Sequence, residues 1–267
     1  MAVQDALIIV EGPQDAESLA RLLKVAGYER VKNRGDLPVE WHNLVSEVYP
    51  KPSRGIDQPH EVPHFRKTAD GNLIAMVIAG GDSRLASALM ASVKALKRLP
   101  AAVGFVLDND GEPNPTKRHG ALLAEVAKYQ SDIVLGALNF PSVPGQIETG
   151  SPRTGIFVLP NNQEQGTLEN VLLEAGEIAY GAQIAQARQF VQDLDVSGLN
   201  DDDLHERTRP SGQKKQIVGT VAALLKPGRA LATSLQDNRW LKGNALNTAL
   251  VRGLRSWLHD LLDIPAP

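Results

Sequence analysis

The sequence predicts an α/β protein: a mostly parallel four-stranded sheet flanked by helices, with an insertion and a helical C-terminal extension. Two observations carry this. Four short apolar runs, "ALIIV" (6–10), "LIAMVIA" (73–79), "AVGFVL" (102–107) and "GIFVLP" (155–160), are continuous rather than alternating, as strands covered on both faces are. Each is followed by a segment whose apolar residues return at three- and four-residue intervals, and that alternation joins parallel strands by right-handed crossovers.

The predicted helices lie in "DAESLARLLKVAG" (15–27), "SRLASALMASVKALKRL" (83–99), "KRHGALLAEVAKY" (117–129) and "TLENVLLEAGEIAYG" (167–181). Residues 30–70 interrupt the rhythm with Pro, Gly and charge, and are expected to form a surface insertion with short elements of its own. Residues 1–180 therefore read as one α/β domain. Residues 181–267 read as a mainly helical extension packed on it, with "NDDDLHERTRPSG" (200–212) as a loop between helices.

Composition removes whole classes of function. The 267 residues contain no cysteine, which excludes disulfides, thiolate zinc sites and thiol nucleophiles and suits a reducing compartment. No run approaches the ~18 apolar residues of a membrane span, and no leader pattern opens the chain, so a cytoplasmic protein is expected. Charge is uneven: residues 204–267 carry 10 Lys/Arg against 4 Asp/Glu, and the remainder 18 against 27. A basic end beside an acidic body suits a phosphate-bearing partner, and equally suits a solvated surface.

Carboxylates stand where the strands end, the edge at which ligands collect in open α/β sheets. Glu11 directly follows the first strand, and Asp15 falls in the first turn of the next helix, where an acid also favours the helix dipole. "FVLDNDG" ends the third strand with Asp108 and Asp110, which share a face if the strand continues. Two close carboxylates repel unless a cation or a shared proton compensates, so Glu11, Asp108 and Asp110 form a candidate site for Mg²⁺ or Mn²⁺. Glu169 follows Gly166 and Thr167 near a helix start, where it completes a second metal site or serves the helix dipole. In "AGGDSRL" (79–85) the two glycines allow close approach of backbone to a ligand, and Asp82 or Ser83 is a natural N-cap.

Other motifs fall away. "HEVPH" (60–64) spells the zinc-protease pattern, but that pattern needs a helix, and Pro63 inside one costs about 3 kcal/mol. The chain has no phosphate-loop, dinucleotide-binding or nucleophile-elbow motif. An Asp-x-Asp at a strand end also occurs in aspartate-nucleophile phosphatases, which place it after the first strand.

A glutamate after strand one, glycines after strand two and Asp-x-Asp after strand three resemble the Toprim domain, a Toprim/Rossmann-like catalytic fold dependent on Mg²⁺. The resemblance covers about residues 5–180, and "KKQIVGTVAALLKPGRALATSLQDNRWL" (214–241) resembles the C-terminal part of the domain of unknown function 3226 family. It implies a metal-dependent nuclease related to OLD-type enzymes. Glu11, Asp108 and Asp110 would be catalytic and metal-binding, with Asp15 and Glu169 at a second metal. Lys226, or Lys214 and Lys215, would stand near the scissile phosphate. Arg229, Arg239, Lys242, Arg252 and Arg255 would track a DNA or RNA backbone, and Trp240 would stack on a base or, as tryptophans more often do, sit in the core.

The chain lacks the zinc module of primases, the tyrosine setting of topoisomerases and an ATPase domain. The implied context is phage defence or nucleic-acid processing, with a protein partner and room for a homo-oligomer. The alternative is a catalytically silent Toprim-fold regulatory or scaffold module that binds a partner protein or a phosphorylated ligand.

Overall fold

The run "ALIIV" forms the middle strand of the sheet, β1 (Asp5–Val10), in a computed structural model that describes residues 4–45, 62–111, 114–129 and 135–265. On either side β4 (Leu73–Ile78) and β5 (Ala102–Leu107) pair with it in parallel, placing Met76 and Gly104 opposite Ile8. Beyond β5 lies β7 (Arg153–Val158), again parallel. These strands are apolar throughout because both their faces are covered. Ala6, Ile8 and Val10 enter one core, while Leu7 and Ile9 enter the other.

The sheet is wider than the four strands expected, having seven in the order β2-β3-β4-β1-β5-β7-β6. The additions are antiparallel to their inner neighbours or to one another: β2 (Glu29–Arg30), β3 (His64–Lys67) and β6 (Ile147–Glu148). Two-residue strands are too short to show a period, and "HFRK" has one apolar residue, so none carries the signal of a buried strand. Arg30 and His64–Lys67 of the 30–70 segment are thus part of the sheet. Phe65 of β3 is buried against Trp41, with ring centroids 6.1 Å apart, and His64 opens a strand rather than lying on a helix. His60 and Glu61 lie outside the described residues.

Helices cover both faces. α2 (Leu85–Leu96) and α3 (Pro115–Ala127) lie over the face carrying Leu7 and Ile9. The other face is shared by α1 (Pro13–Val25), α4 (Leu168–Asp193), α6 (Gly212–Leu225), α7 (Leu231–Asp237) and α8 (Ala249–Leu262). α4 runs across residue 180 with a kink at Tyr180, where φ is −145° and ψ 37°. The 200–212 segment is not all loop: α5 (Asp201–Thr208) starts on an Asn200 side chain that accepts from the Asp203 N–H at 2.9 Å. α8 approaches the sheet over Gly104, where a Cβ would lie 2.6 Å from Leu261 Cδ2 and 3.1 Å from Trp257. Among the described residues, no helix is long and apolar enough to cross a membrane.

Candidate functional site

At the C-terminal ends of β1 and β5 the apolar runs stop and charged residues begin. The carbonyl of Glu11 accepts from the N–H groups of Gly80 and Gly81 at 3.0 and 3.2 Å, tying the end of β1 to the loop after β4. Both glycines have positive φ, 76° and 135°, which an L side chain adopts only with strain. Gly12 is extended, Pro13 opens α1, and Asp15 Oδ2 accepts from the Gly12 N–H at 2.8 Å. The helix-start role for Asp15 is thus real, and it also buries this carboxylate at the strand edge.

Asp108 is fixed from two directions. Its N–H donates to Glu11 Oε1 at 3.0 Å, and its Oδ1 accepts from the Leu168 N–H at 2.9 Å, at the start of α4. The neighbouring Asn109 exchanges backbone hydrogen bonds with Gly166 at 2.8 and 3.2 Å, which brings the α4 N-terminus to the end of β5. Glu169, buried in the first turn of α4, accepts from Thr167 Oγ1 at 2.7 Å.

Glu11, Asp15, Asp108 and Glu169 therefore crowd one rim of the sheet. Burial raises the pKa of Glu11 even though Arg118 opposes the rise. Burial also pushes Asp15 up to about 7, with the charges of Glu11 and Glu169 adding to it and the Gly12 N–H and Lys215 resisting. Asp108 is raised well above its ordinary value by burial, then by Asp15, Glu11 and Glu169.

Asp110 stands beside this group rather than within it. Its Oδ2 accepts from Ser211 Oγ at 2.7 Å and lies 3.8 Å from Lys215 Nζ. Its Oδ1 is buried without a hydrogen-bond partner among the described residues. Lys214, one residue earlier on α6, donates to Asn170 Oδ1 at 3.2 Å. The first turn of α6 thus faces the acids.

Arg118 of α3 is a site residue that the strand-end reading missed. Its Nη2 lies 3.0 Å from Glu11 Oε1 and 3.8 Å from Asp82, and its Nε donates to the Asp108 carbonyl at 3.1 Å. Position was the available signal: a helix that follows an acid-bearing strand starts at the same rim, so its first turn faces the same cleft. Ser211 and Thr167 had no such signal, because their contacts depend on how distant segments fold back.

The other predicted basic residues lie elsewhere. Lys226 caps the far end of α6, about 16 Å along the helix from Lys215, and pairs with Asp237 at 2.8 Å. Lys242 Nζ donates to the Asp237 carbonyl at 3.0 Å, and Arg239 packs over the Tyr180 ring. Arg229 is exposed in the turn after α6, and Arg252 is exposed on α8. Arg255 is buried, and Trp240 is wholly buried with its Nε1 donating to Ser234 Oγ, so neither tracks a backbone nor stacks on a base.

The donors are carboxylate oxygens, the type a hard cation takes, and beside them Asp110 carries one orphaned buried oxygen. Among the described residues, no three of the acids stand close enough to form a ready ligand cage.

Fold and rim together define a mixed α/β protein with a strand-end cluster of buried acids. Residues 5–263 match the family described as protein of unknown function (DUF3226), and the chain belongs to that family. No curated protein matches it. A solved structure similar in fold is that of the hypothetical protein PH0156 from Pyrococcus horikoshii OT3. Its TM-score is 0.54 at 16% identity, over 97% of this chain and 95% of that one.

Proposed function

We propose that the chain is a Toprim-like, Mg²⁺- or Mn²⁺-dependent phosphodiesterase acting on DNA or RNA. The observation that supports this reading is the convergence of Glu11, Asp15, Asp108 and Glu169 at one rim, with burial and neighbouring carboxylates opposing ionisation of Glu11, Asp15 and Asp108. A bound divalent cation supplies charge against the scissile phosphate and acidifies a water. Asp108 and Asp15, both buried at the rim, would hold it. Glu11, released from Arg118, takes or delivers a proton, and the freed guanidinium turns to a phosphate oxygen, whose geometry it matches. Lys214 and Lys215 meet the substrate beside the acids.

One observation favours a second reading, a catalytically silent Toprim-fold module that binds a partner protein or a phosphorylated ligand. Glu11 is paired with Arg118, and Asp110 is held by Ser211 and Lys215, so two of the acids already have protein partners. A role in phage defence or nucleic-acid processing is compatible with either reading.

The test incubates the full chain with single- and double-stranded DNA and RNA in Mg²⁺, in Mn²⁺ and in EDTA. The nuclease reading expects cleavage that needs metal and falls at least about 100-fold in Asp108→Ala and in Glu11→Ala. Absence of cleavage on every substrate, or cleavage indifferent to both substitutions, leaves the silent module.

A further inference from the structure

The rim opposite the acids holds a different polar constellation. A cavity of about 570 Å³ opens there, within the size range of small-ligand sites, between the C-terminal end of α1, the β3–β4 turn and the second half of α8. Since Val25 lies ten residues along α1 from Asp15, this cavity lies about 15 Å from that acid.

Arg255 and Tyr28 are among its lining residues, and each has a buried side-chain donor without a partner among the described residues. Arg255 is 7% exposed, and its Nε has no hydrogen-bond acceptor among the described residues. A buried donor without an acceptor is unfavourable, so the arrangement is suited to a ligand that supplies one. Tyr28 is 1% exposed and its Oη is likewise unpartnered. Burial raises its pKa, which keeps the phenol a neutral O–H donor.

The remaining lining supports an anion of limited size. Thr68 Oγ1 accepts from the Asn72 N–H at 3.1 Å, which leaves its hydroxyl proton to donate. Val25 and Ile264 supply apolar wall for the body of a ligand. Asp70, exposed on the β3–β4 turn, adds a negative charge at the cavity edge that disfavours polyanions.

We propose that this cavity is a second ligand site, binding the carboxylate or phosphate head of a small molecule through Arg255, with Tyr28 as the second donor. It is separate from the acid rim and stands whether or not that rim is catalytic. A planar guanidinium offers such a head two parallel hydrogen bonds, and the phenol would add a further donor from another element.

The experiment titrates the ¹⁵N-labelled full chain with benzoate and, separately, with inorganic phosphate at constant ionic strength, following arginine Nε–H resonances by NMR. The resonance absent from Arg255→Met is expected to shift saturably with at least one probe, and the responding probe identifies the head group. Affinity is expected to fall about tenfold in Arg255→Met, by backbone amide shifts, and less in Tyr28→Phe, while Glu11→Ala binds as the parent does. No saturable shift with either probe overturns the proposal, as does equal affinity in Arg255→Met. Should Arg255→Met not fold, unchanged affinity in Tyr28→Phe overturns it instead.

Discussion

Arg118 Nη2 lies 3.0 Å from Glu11 Oε1, joining residues 107 positions apart across the end of the sheet. The pair makes the guanidinium the resident counter-charge of the acid cluster. Arg118→Met leaves Glu11 partly buried and unpaired. The substitution is expected to lower unfolding free energy by about 1–3 kcal/mol without divalent metal. If a cation takes over the charge, the loss is smaller in Mn²⁺. Urea unfolding with and without the ion measures both numbers.

Acid titration gives a second prediction. Asp15 has an ordinary pKa of 3.8 and is raised to about 7 in the fold, so the folded chain binds that proton more tightly than the unfolded one. Stability should therefore fall as pH rises from about 4 to about 7, and Glu11 and Asp108 act in the same direction. Asp15→Asn keeps an acceptor for the Gly12 N–H and removes the charge. Its melting temperature is expected to exceed the parent's at pH 8 and to differ little at pH 4, as calorimetric scans across that range would record.

Divalent ions should reverse the same penalty. At about 100 times its dissociation constant a bound ion adds about 2.7 kcal/mol of stability. Thermal melts at pH 8 are expected to rise with Mg²⁺ or Mn²⁺ in the parent and to stay flat in Asp108→Ala, with Ca²⁺ and spermidine separating a specific ion from general screening.

The seat of α8 on the sheet gives a fourth. Gly104→Ala places a methyl 2.6 Å from Leu261 Cδ2 and 3.1 Å from Trp257. Overpacking of this kind costs about 1–3 kcal/mol, and Leu261→Ala in the same chain should return part of it. A double-mutant cycle by chemical unfolding measures the recovery.

The sequence revealed the four parallel strands because burial on both faces leaves unbroken apolar runs, and it placed Glu11 and Asp108 at their ends for the same reason. It did not reveal β2, β3 or β6, whose pairing is set by neighbours and not by a pattern of their own. The helix at Asp201–Thr208 was hidden by its polarity, since none of its side chains is buried. Asp110 and Glu169 depended on turns: the Asn109–Gly166 bridge draws α4 inward, so Glu169 joins the cluster while Asp110 meets Ser211. Arg255 read as available to nucleic acid because composition cannot tell a basic surface from a basic residue on the buried face of a helix.

The measurement closest to the central claim is an anomalous-scattering map from crystals grown in Mn²⁺. The account predicts a peak about 2.2 Å from carboxylate oxygens of Asp108 and at least one of Glu11, Asp15 and Glu169, with water completing the shell. A map with no peak at this rim, and with Arg118 still seated on Glu11, would contradict it.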